Sequence, residues 1–388
     1  MRNHRRRRTS ALIKLTVLLL TPFTVAFSTK LFPFVYGFLK KTDEIQLYKN
    51  PADLNGKAIN EPFYNLSLNE DYEDTINENF DLSVGYGVSE ESGDSSVASN
   101  NDLSAYNSVS ENPGAKPYPT KWTQGGTIVR NTYGKFTGNN YFNLEKAGQV
   151  NNKTDIQSAT LYNESNLLPE FKIDNSDQPQ VLIYHTHTTE SFEPFVRDYY
   201  DATFNYRTTD ETKNVVMIGT EIQKQIEASG IKVIHNTTIH DYPSYNGSYD
   251  RSAETIKSIM QQYPSIKVIL DIHRDAIAGD GVGYQPFAVI NGKEAAQVMI
   301  ISGCDDGTMN MPDFMKNFRL ASLLQQQMET DYPGLTRPIM FDYRNYNQNL
   351  STGALLIEVG SHCNTLDQVK YSGQLIGASI GRALSGLK

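Results

Sequence analysis

Val181-Leu182-Ile183-Tyr184-His185-Thr186-His187-Thr188-Thr189-Glu190 is the stretch on which the reading of this chain turns. Four apolar residues in a row suit a short strand buried on both faces, and the polar run directly after them marks its end. Two histidines and a carboxylate leave that strand on one tight turn. There a His-x-x-Glu pair can aim an imidazole nitrogen and a carboxylate oxygen at one ion. Two other apolar runs end in the same manner. Residues 268–272 lead into Asp271-Ile272-His273-Arg274-Asp275, and Leu355-Leu356-Ile357 delivers Glu358. In open α/β sheets ligands bind beyond the carboxyl ends of the strands, so His187, Glu190, His273 and Glu358 are expected to converge.

Two imidazoles and one carboxylate with an open fourth position form the ligand set of a catalytic zinc site. Such a site polarises a carbonyl and activates water. A carboxylate outside the ligand set is then needed to move the proton, and Glu358 is the expected one. A charge buried unpaired inside an apolar strand is costly, which argues that Glu358 has a partner or a task. His185 and His187 point the same way along an extended chain, so either can supply the first ligand; the two-residue gap to Glu190 favours His187. His185 is then a neighbour of the ligands or a substrate contact. Asp271 and Asp275 either orient imidazoles or cap adjacent structure, and Arg274 either meets a substrate carboxylate or forms a salt bridge. His235 and His240 read as ordinary surface residues, and His362 as a residue that could line the cleft.

Outward from these motifs the pattern alternates. Helical spacing of Val215, Ile218, Ile222 and Ile226 predicts a helix over 214–229, stopped by Gly230. Strands are predicted at 231–234, 268–272 and 355–359, and helices at 250–262, 312–332 and 366–384. Asn291-Gly292 predicts a hairpin between 287–290 and 298–301. Alternating strands and helices define an α/β domain with a mostly parallel sheet and helices on both faces, over 178–388. The stretch 117–177, with short strands at 126–130 and 141–144, reads as a small β-rich lead-in.

The N-terminal third differs in character. Residues 1–14 are basic, and an apolar run over 15–39 comes next, long enough to cross a bilayer. A retained anchor is expected in preference to a cleaved leader, with the chain beyond it exported. Residues 40–116 then form an acidic spacer. Between Lys41 and Asn112 there are 15 acidic and 3 basic residues. Such a stretch buries too little apolar surface to offset its ordering entropy, and disorder is expected there. The formal net charge of −9 over 388 residues leaves no broad basic face and excludes a nucleic-acid partner. The only two cysteines, Cys304 and Cys363, read as buried free thiols rather than a disulfide.

The run 181–192, together with Asp271-Ile272-His273-Arg274-Asp275-Ala276 and Ile357-Glu358-Val359-Gly360, resembles the stage II sporulation protein P family. Asn214-Val215-Val216 and His240-Asp241-Tyr242-Pro243-Ser244-Tyr245 strengthen the likeness, which covers roughly 125–387. The resemblance implies an N-acetylmuramoyl-L-alanine amidase, in some members also an endopeptidase, acting on peptidoglycan during engulfment. It further implies a zinc cofactor, a lytic transglycosylase and a membrane-anchoring partner, and a fold similar to zinc amidases and carboxypeptidases. His187, Glu190, His273 and Glu358 fit that order of ligands and general base. A zinc peptidase of carboxypeptidase type and a silent peptidoglycan-binding scaffold are the competing readings.

Overall fold

The computed structural model describes residues 122–388 apart from positions 202 and 205. The expected basic terminus (1–14), membrane anchor (15–39) and acidic linker (40–116) lie outside the described residues, as do positions 117–121. Among the described residues no helix is long and apolar enough to cross a membrane.

The elements run β1 (Gly126–Asn131), β2 (Tyr141–Asn143), β3 (Gln149–Asn152), α1 (Ser158–Ser165), β4 (Val181–Tyr184), β5 (Tyr199–Tyr200), α2 (Val215–Ala228), β6 (Val233–His235) and α3 (Ser248–Gln262). They continue with β7 (Val268–Asp275), β8 (Ala278–Gly279), β9 (Val282–Ile290), β10 (Lys293–Ala296), β11 (Val298–Cys304), α4 (Phe314–Asp331), β12 (Ile339–Tyr343), β13 (Ala354–Ser361) and α5 (Leu366–Ser385). The main sheet has the order β2-β3-β12-β11-β13-β7-β4-β6. It is mixed and mostly parallel: the pairings β2/β3 and β11/β13 are antiparallel and the other five are parallel. A second sheet joins β10, β9, β1 and β5, with β8 on β9.

Side chains alternate across a strand, so each face of the sheet can be read from register. Ile183, Leu270, Ile272, Ile357 and Ile300 belong to one large core with Ile218 and Ile222 of α2, Phe318 and Leu324 of α4, and Ile376 and Ile380 of α5. The opposite face carries Leu182, Tyr184 and Ile269 against Ile256 of α3. It continues into a small cluster of Met299, Ile301, Met340 and Leu356, covered by Tyr346. Asp271 and His273 come after Ile269, and Glu358 after Leu356, at even spacing. They therefore rise from this thinly covered second face. Helices α2, α4 and α5 thus cover one side of the sheet, and α3 covers part of the other.

Local sequence explains how the covering helices start and dock. Asn214 caps α2 by accepting a hydrogen bond from the Val216 N–H at 3.0 Å. Thr365 and Gln368 form a reciprocal capping box at the start of α5. Gly373, Gly377 and Gly381 then face α2 at four-residue spacing. A Cβ at Gly377 would lie 2.7 Å from the Ile222 carbonyl oxygen, so the helices pack backbone to backbone.

Two predicted features are corrected. The Asn291-Gly292 hairpin exists, but its second arm is Lys293–Ala296, while Val298–Cys304 enters the main sheet instead. After the first arm the chain needs only four residues to return along it, and Gln297 then turns it towards the other sheet. His273 lies within β7, which runs on to Asp275, rather than just beyond a strand ending at Ile272.

Candidate metal centre

The turn after β4 brings Glu190 back towards β7. Its N–H bonds the His187 carbonyl at 3.1 Å, and its carbonyl accepts from the Val215 N–H, the first residue of α2, at 3.0 Å. One carboxylate oxygen, Oε2, accepts from the Arg274 N–H at 3.0 Å. These bonds aim the carboxylate at the sheet face where His273 stands. His187 Nδ1 lies 3.6 Å from Glu190 Oε1, and His273 Nδ1 lies 3.5 Å from Glu190 Oε2. The two imidazole rings are 5.0 Å apart between centroids, nearly perpendicular. One donor atom from each of the three residues falls within 4.8 Å of the others.

This arrangement fits a cation. Zinc–ligand bonds of about 2.0–2.1 Å imply donor separations of roughly 3.3 Å in a tetrahedral site. Each imidazole lies near that distance from one oxygen of Glu190, 3.6 Å to Oε1 and 3.5 Å to Oε2, and one donor atom from each residue closes within 4.8 Å. Both separations are long for hydrogen bonds. Glu190 Oε1 is buried and accepts no hydrogen bond among the described residues. Such an atom calls for a partner, and an ion bound between the imidazoles supplies one.

The surroundings hold the donors in place. His273 turns its other nitrogen, Nε2, to Asp271 Oδ1 at 2.9 Å. Asp271 is itself fixed by the Thr186 N–H (2.9 Å) and hydroxyl (2.7 Å). A carboxylate behind the imidazole sets the tautomer and raises its basicity, leaving Nδ1 for an ion. Burial alone would lower the His273 pKa, but Asp271 and Glu190 outweigh it and hold it well above the ordinary value. Burial would likewise raise Glu190, but contacts with His187 and His273 and the charge of Arg274 keep it well below the carboxylate range. The pocket thus favours positive charge, whether proton or metal.

The other predicted residues take distinct places. Glu358 is paired in register with His273 across β13 and β7, so the two side chains stand next to one another. His185 lies outside the cluster: Nδ1 meets the Ile272 carbonyl at 2.8 Å and Nε2 meets His235 Nε2 at 2.9 Å. Burial, followed by the neighbouring His235, depresses its pKa to about 3. Arg274 directs its guanidinium to the carbonyls of Ser191, Asp275 and Tyr206, at 2.8, 3.3 and 3.3 Å. Asp275 is bound to Arg337 at 2.8 Å. The His362 N–H donates to the Asp275 carbonyl at 3.1 Å. Cys304 and Cys363 are buried and free.

The end of β6, the loop after it and the start of α3, together with Arg207, hold what sequence reasoning missed. His240 is not a surface residue: it is 1% exposed and bonds the His185 carbonyl (2.7 Å) and Thr255 hydroxyl (3.0 Å). His235, against His185, is half-buried rather than plainly exposed. Asp241 accepts from the Thr189 N–H (3.1 Å) and hydroxyl (2.6 Å), bracing the ligand turn. Arg207 donates to the same Asp241 at 2.9 Å, and its guanidinium reaches to 3.9 Å from Glu190 Oε1. Tyr245 and Tyr249 lie against His187, at 4.6 and 5.5 Å between centroids. The one signal in the sequence is the string His240-Asp241-Tyr242-Pro243-Ser244-Tyr245, dense in polar and aromatic side chains for a loop.

Two imidazoles and a carboxylate converging on a sheet face, with a second carboxylate beside them, form the donor set of a metal-dependent hydrolase. That is the class of protein the α/β fold and this site describe. Residues 100–381 match the family model for stage II sporulation protein P (SpoIIP), and the chain belongs to that family. It is similar to stage II sporulation protein P of Bacillus subtilis (strain 168), 30% identical over 205 residues. That match covers 50% of this chain and 48% of the relative, so it spans about half the length of the curated protein. Among solved structures it is similar to the N-acetylmuramoyl-L-alanine amidase AmiC2 of Nostoc punctiforme, 12% identical, with a TM-score of 0.32 over 53% of this chain and 96% of that one. The CwlD amidase of Clostridioides difficile, solved in complex with the GerS lipoprotein, is 13% identical, with a TM-score of 0.33 over 53% and 99%. A metallo-carboxypeptidase from Burkholderia cenocepacia is 8% identical, with a TM-score of 0.31 over 62% and 71%.

Proposed function

We propose that this chain is a zinc-dependent N-acetylmuramoyl-L-alanine amidase that strips stem peptides from peptidoglycan during sporulation engulfment. The observation that carries the reading is the convergence of His187, Glu190 and His273 beside Glu358 on the thinly covered face of the sheet. Held by those three donors, zinc supplies Lewis-acid chemistry at the scissile carbonyl. Glu358 takes the proton of the attacking water and returns it to the leaving amine. Asp271 keeps His273 in one tautomer through the step. Tyr245 and Tyr249 wall the site and limit the access of bulk water.

In this reading residues 15–39 anchor the chain in the cell membrane, 40–116 tether it, and the domain over 178–388, with its lead-in, works on the extracytoplasmic side. The substrate is a solid mesh, and a tether of that length lets the domain search a volume around its anchor. A lytic transglycosylase and a membrane-anchoring protein are the expected partners. The engagement of the Arg274 guanidinium with three backbone carbonyls gives no support to the carboxypeptidase alternative, which needs a cation for a terminal carboxylate.

The test is to incubate the full-length protein with purified peptidoglycan and analyse soluble products by mass spectrometry. Free peptides beginning at L-alanine are expected, abolished by a chelator and restored by zinc. Cross-link cleavage with stems left on the glycan would assign an endopeptidase instead. No release with zinc and a lytic transglycosylase both present would overturn the enzymatic reading.

A further inference from the structure

A second concavity adjoins the metal centre. It has a volume of about 340 Å³ and is lined by Tyr249, Tyr343, Arg344, Tyr346 and Asn347 among others. Tyr249 belongs to both places. Its ring lies against His187 on one side and stacks on Tyr346 at 5.3 Å on the other. The Arg344 guanidinium sits 5.9 Å from the centre of the Tyr346 ring. A path of aromatic faces thus leads from a candidate metal ligand to a cation.

The walls are tied in place by the rest of the molecule. Asn347 donates to the Tyr249 carbonyl (2.9 Å) and the Ser252 hydroxyl (3.0 Å), pinning the loop to α3. Asn345 donates to the Met309 carbonyl at 2.6 Å, pinning the same loop to the 305–311 turn. Gly303 lets the loop lie flush on β11, since a Cβ there would be 2.3 Å from the Arg344 carbonyl oxygen. Both asparagine amides donate to the fold, and Arg344 is the charged residue of the lining.

Arg344 is also underused. Its Nε is buried and makes no hydrogen bond among the described residues. The nearest acidic oxygen, Asp342 Oδ2, is 3.7 Å away and is shared with Lys153 at 3.8 Å. The other oxygen of Asp342 accepts from the Tyr343 N–H at 2.9 Å. A planar guanidinium in this state matches a carboxylate, which it can hold through two parallel hydrogen bonds. A phosphate dianion fits less well, because Asp342 repels the second charge. A sugar fits less well because its hydroxyls need a fan of donors and acceptors, and the asparagines are already engaged.

We propose that this concavity is a subsite for an acidic residue of an extended peptide, its carboxylate on Arg344 and its chain against the Tyr249 and Tyr346 rings. An extended chain advances about 3.3–3.6 Å per residue, and the steps from His187 to Tyr249, Tyr346 and Arg344 are 5.5, 5.3 and 5.9 Å, so the acidic residue is about the fourth from the bond held at the metal centre. The proposal rests on the hydrolytic reading of that centre and adds to it which end of the peptide is recognised and by what.

The experiment compares two muramoyl pentapeptides that differ only in carrying an acidic residue or its side-chain carboxamide at the fourth position. Binding to the full-length protein is measured calorimetrically in the presence of a chelator, so that no turnover is required. Wild type is expected to prefer the free acid roughly tenfold, the worth of one charge-assisted contact. Arg344→Gln removes that preference while leaving the affinity for the carboxamide unchanged, and Arg344→Lys retains part of it. No preference in wild type, a preference that survives Arg344→Gln, or equal weakening of both ligands would each overturn the subsite. Hydrolysis of the same two compounds with zinc is followed separately. Discrimination in binding without hydrolysis would keep the subsite, the amidase reading standing or falling on peptidoglycan itself; hydrolysis without discrimination would overturn the subsite and keep the amidase.

Discussion

Glu358 and His273 stand opposite one another in register on the parallel strands β13 and β7, and Met299 flanks Glu358 from the antiparallel strand β11. A sheet ladder is among the stiffest frames a protein has, so the spacing between His273 and Glu358 is set by backbone pairing. The partner strands leave Glu358 little freedom to drift.

Glu358→Gln is therefore expected to fold normally and keep its zinc, because the amide is nearly isosteric and lies outside the ligand set. Peptide release should fall by about 10²–10⁴, the usual worth of a positioned general base. Metal content by atomic absorption alongside turnover checks this. Loss of both together would mean that Glu358 binds the metal instead.

Asp271→Asn tests the support behind His273. The carboxamide can still meet Thr186 but holds the imidazole less firmly, and zinc affinity should drop about 10–100-fold. Zinc at 100 times its dissociation constant stabilises the fold by about 2.7 kcal/mol. Wild type should accordingly melt higher with zinc, Asp271→Asn should need more zinc for the same shift, and His273→Ala should show no shift. Thermal melts across a zinc titration read all three.

Acid should destabilise the fold well before ordinary carboxylates titrate. Burial depresses His235 to about 4, and burial together with Arg274 depresses His362 to about 3. Both are bases whose folded pKa lies below the unfolded value of about 6.5, so the unfolded chain binds more protons between those limits. Their contribution is present above pH 6.5 and is lost as pH falls towards the folded values. Partial contact with solvent reduces the effect, and about 1–2 kcal/mol from each is expected by pH 5. Urea unfolding at pH 7 and pH 5 measures it, and equal stability at the two would refute it.

Gly377→Ala should cost about 1–3 kcal/mol, the range for overpacking a close contact. The added methyl would meet the Ile222 carbonyl oxygen and the Gln225 side chain, at 2.7 and 2.8 Å. An unchanged denaturation midpoint would show that α5 can shift away from α2 at no cost.

The ligand turn and its neighbours are legible in the sequence because their signals are local. Val181–Tyr184 is an apolar run buried throughout, and the first candidate ligand, His187, follows on the turn that leaves it. Periodicity likewise places α2, α4 and α5 within two residues of their ends. The features that sequence does not reveal depend on non-local pairing. Nothing in Val298–Cys304 distinguishes a strand that runs with its neighbour from one that runs against it. The hairpin arm 293–296 escapes notice because Lys293 and Glu294 break the apolar run, although its remaining two residues are buried. Asp241, Arg207 and the tyrosines near His187 lie 17 or more positions from Glu190, and their part in the site comes from the folded loops alone.

The reversal of β11 against β13 has one further outcome. The chain leaving β12 departs from the end of the sheet opposite to Glu358, and reaches Tyr249 only by doubling back over Met299, Ile301, Met340 and Leu356. The candidate metal centre and the Arg344 concavity are thus drawn from both ends of the strands and are laid out lengthwise over one face of the sheet, along an elongated surface instead of around a cup at the sheet edge.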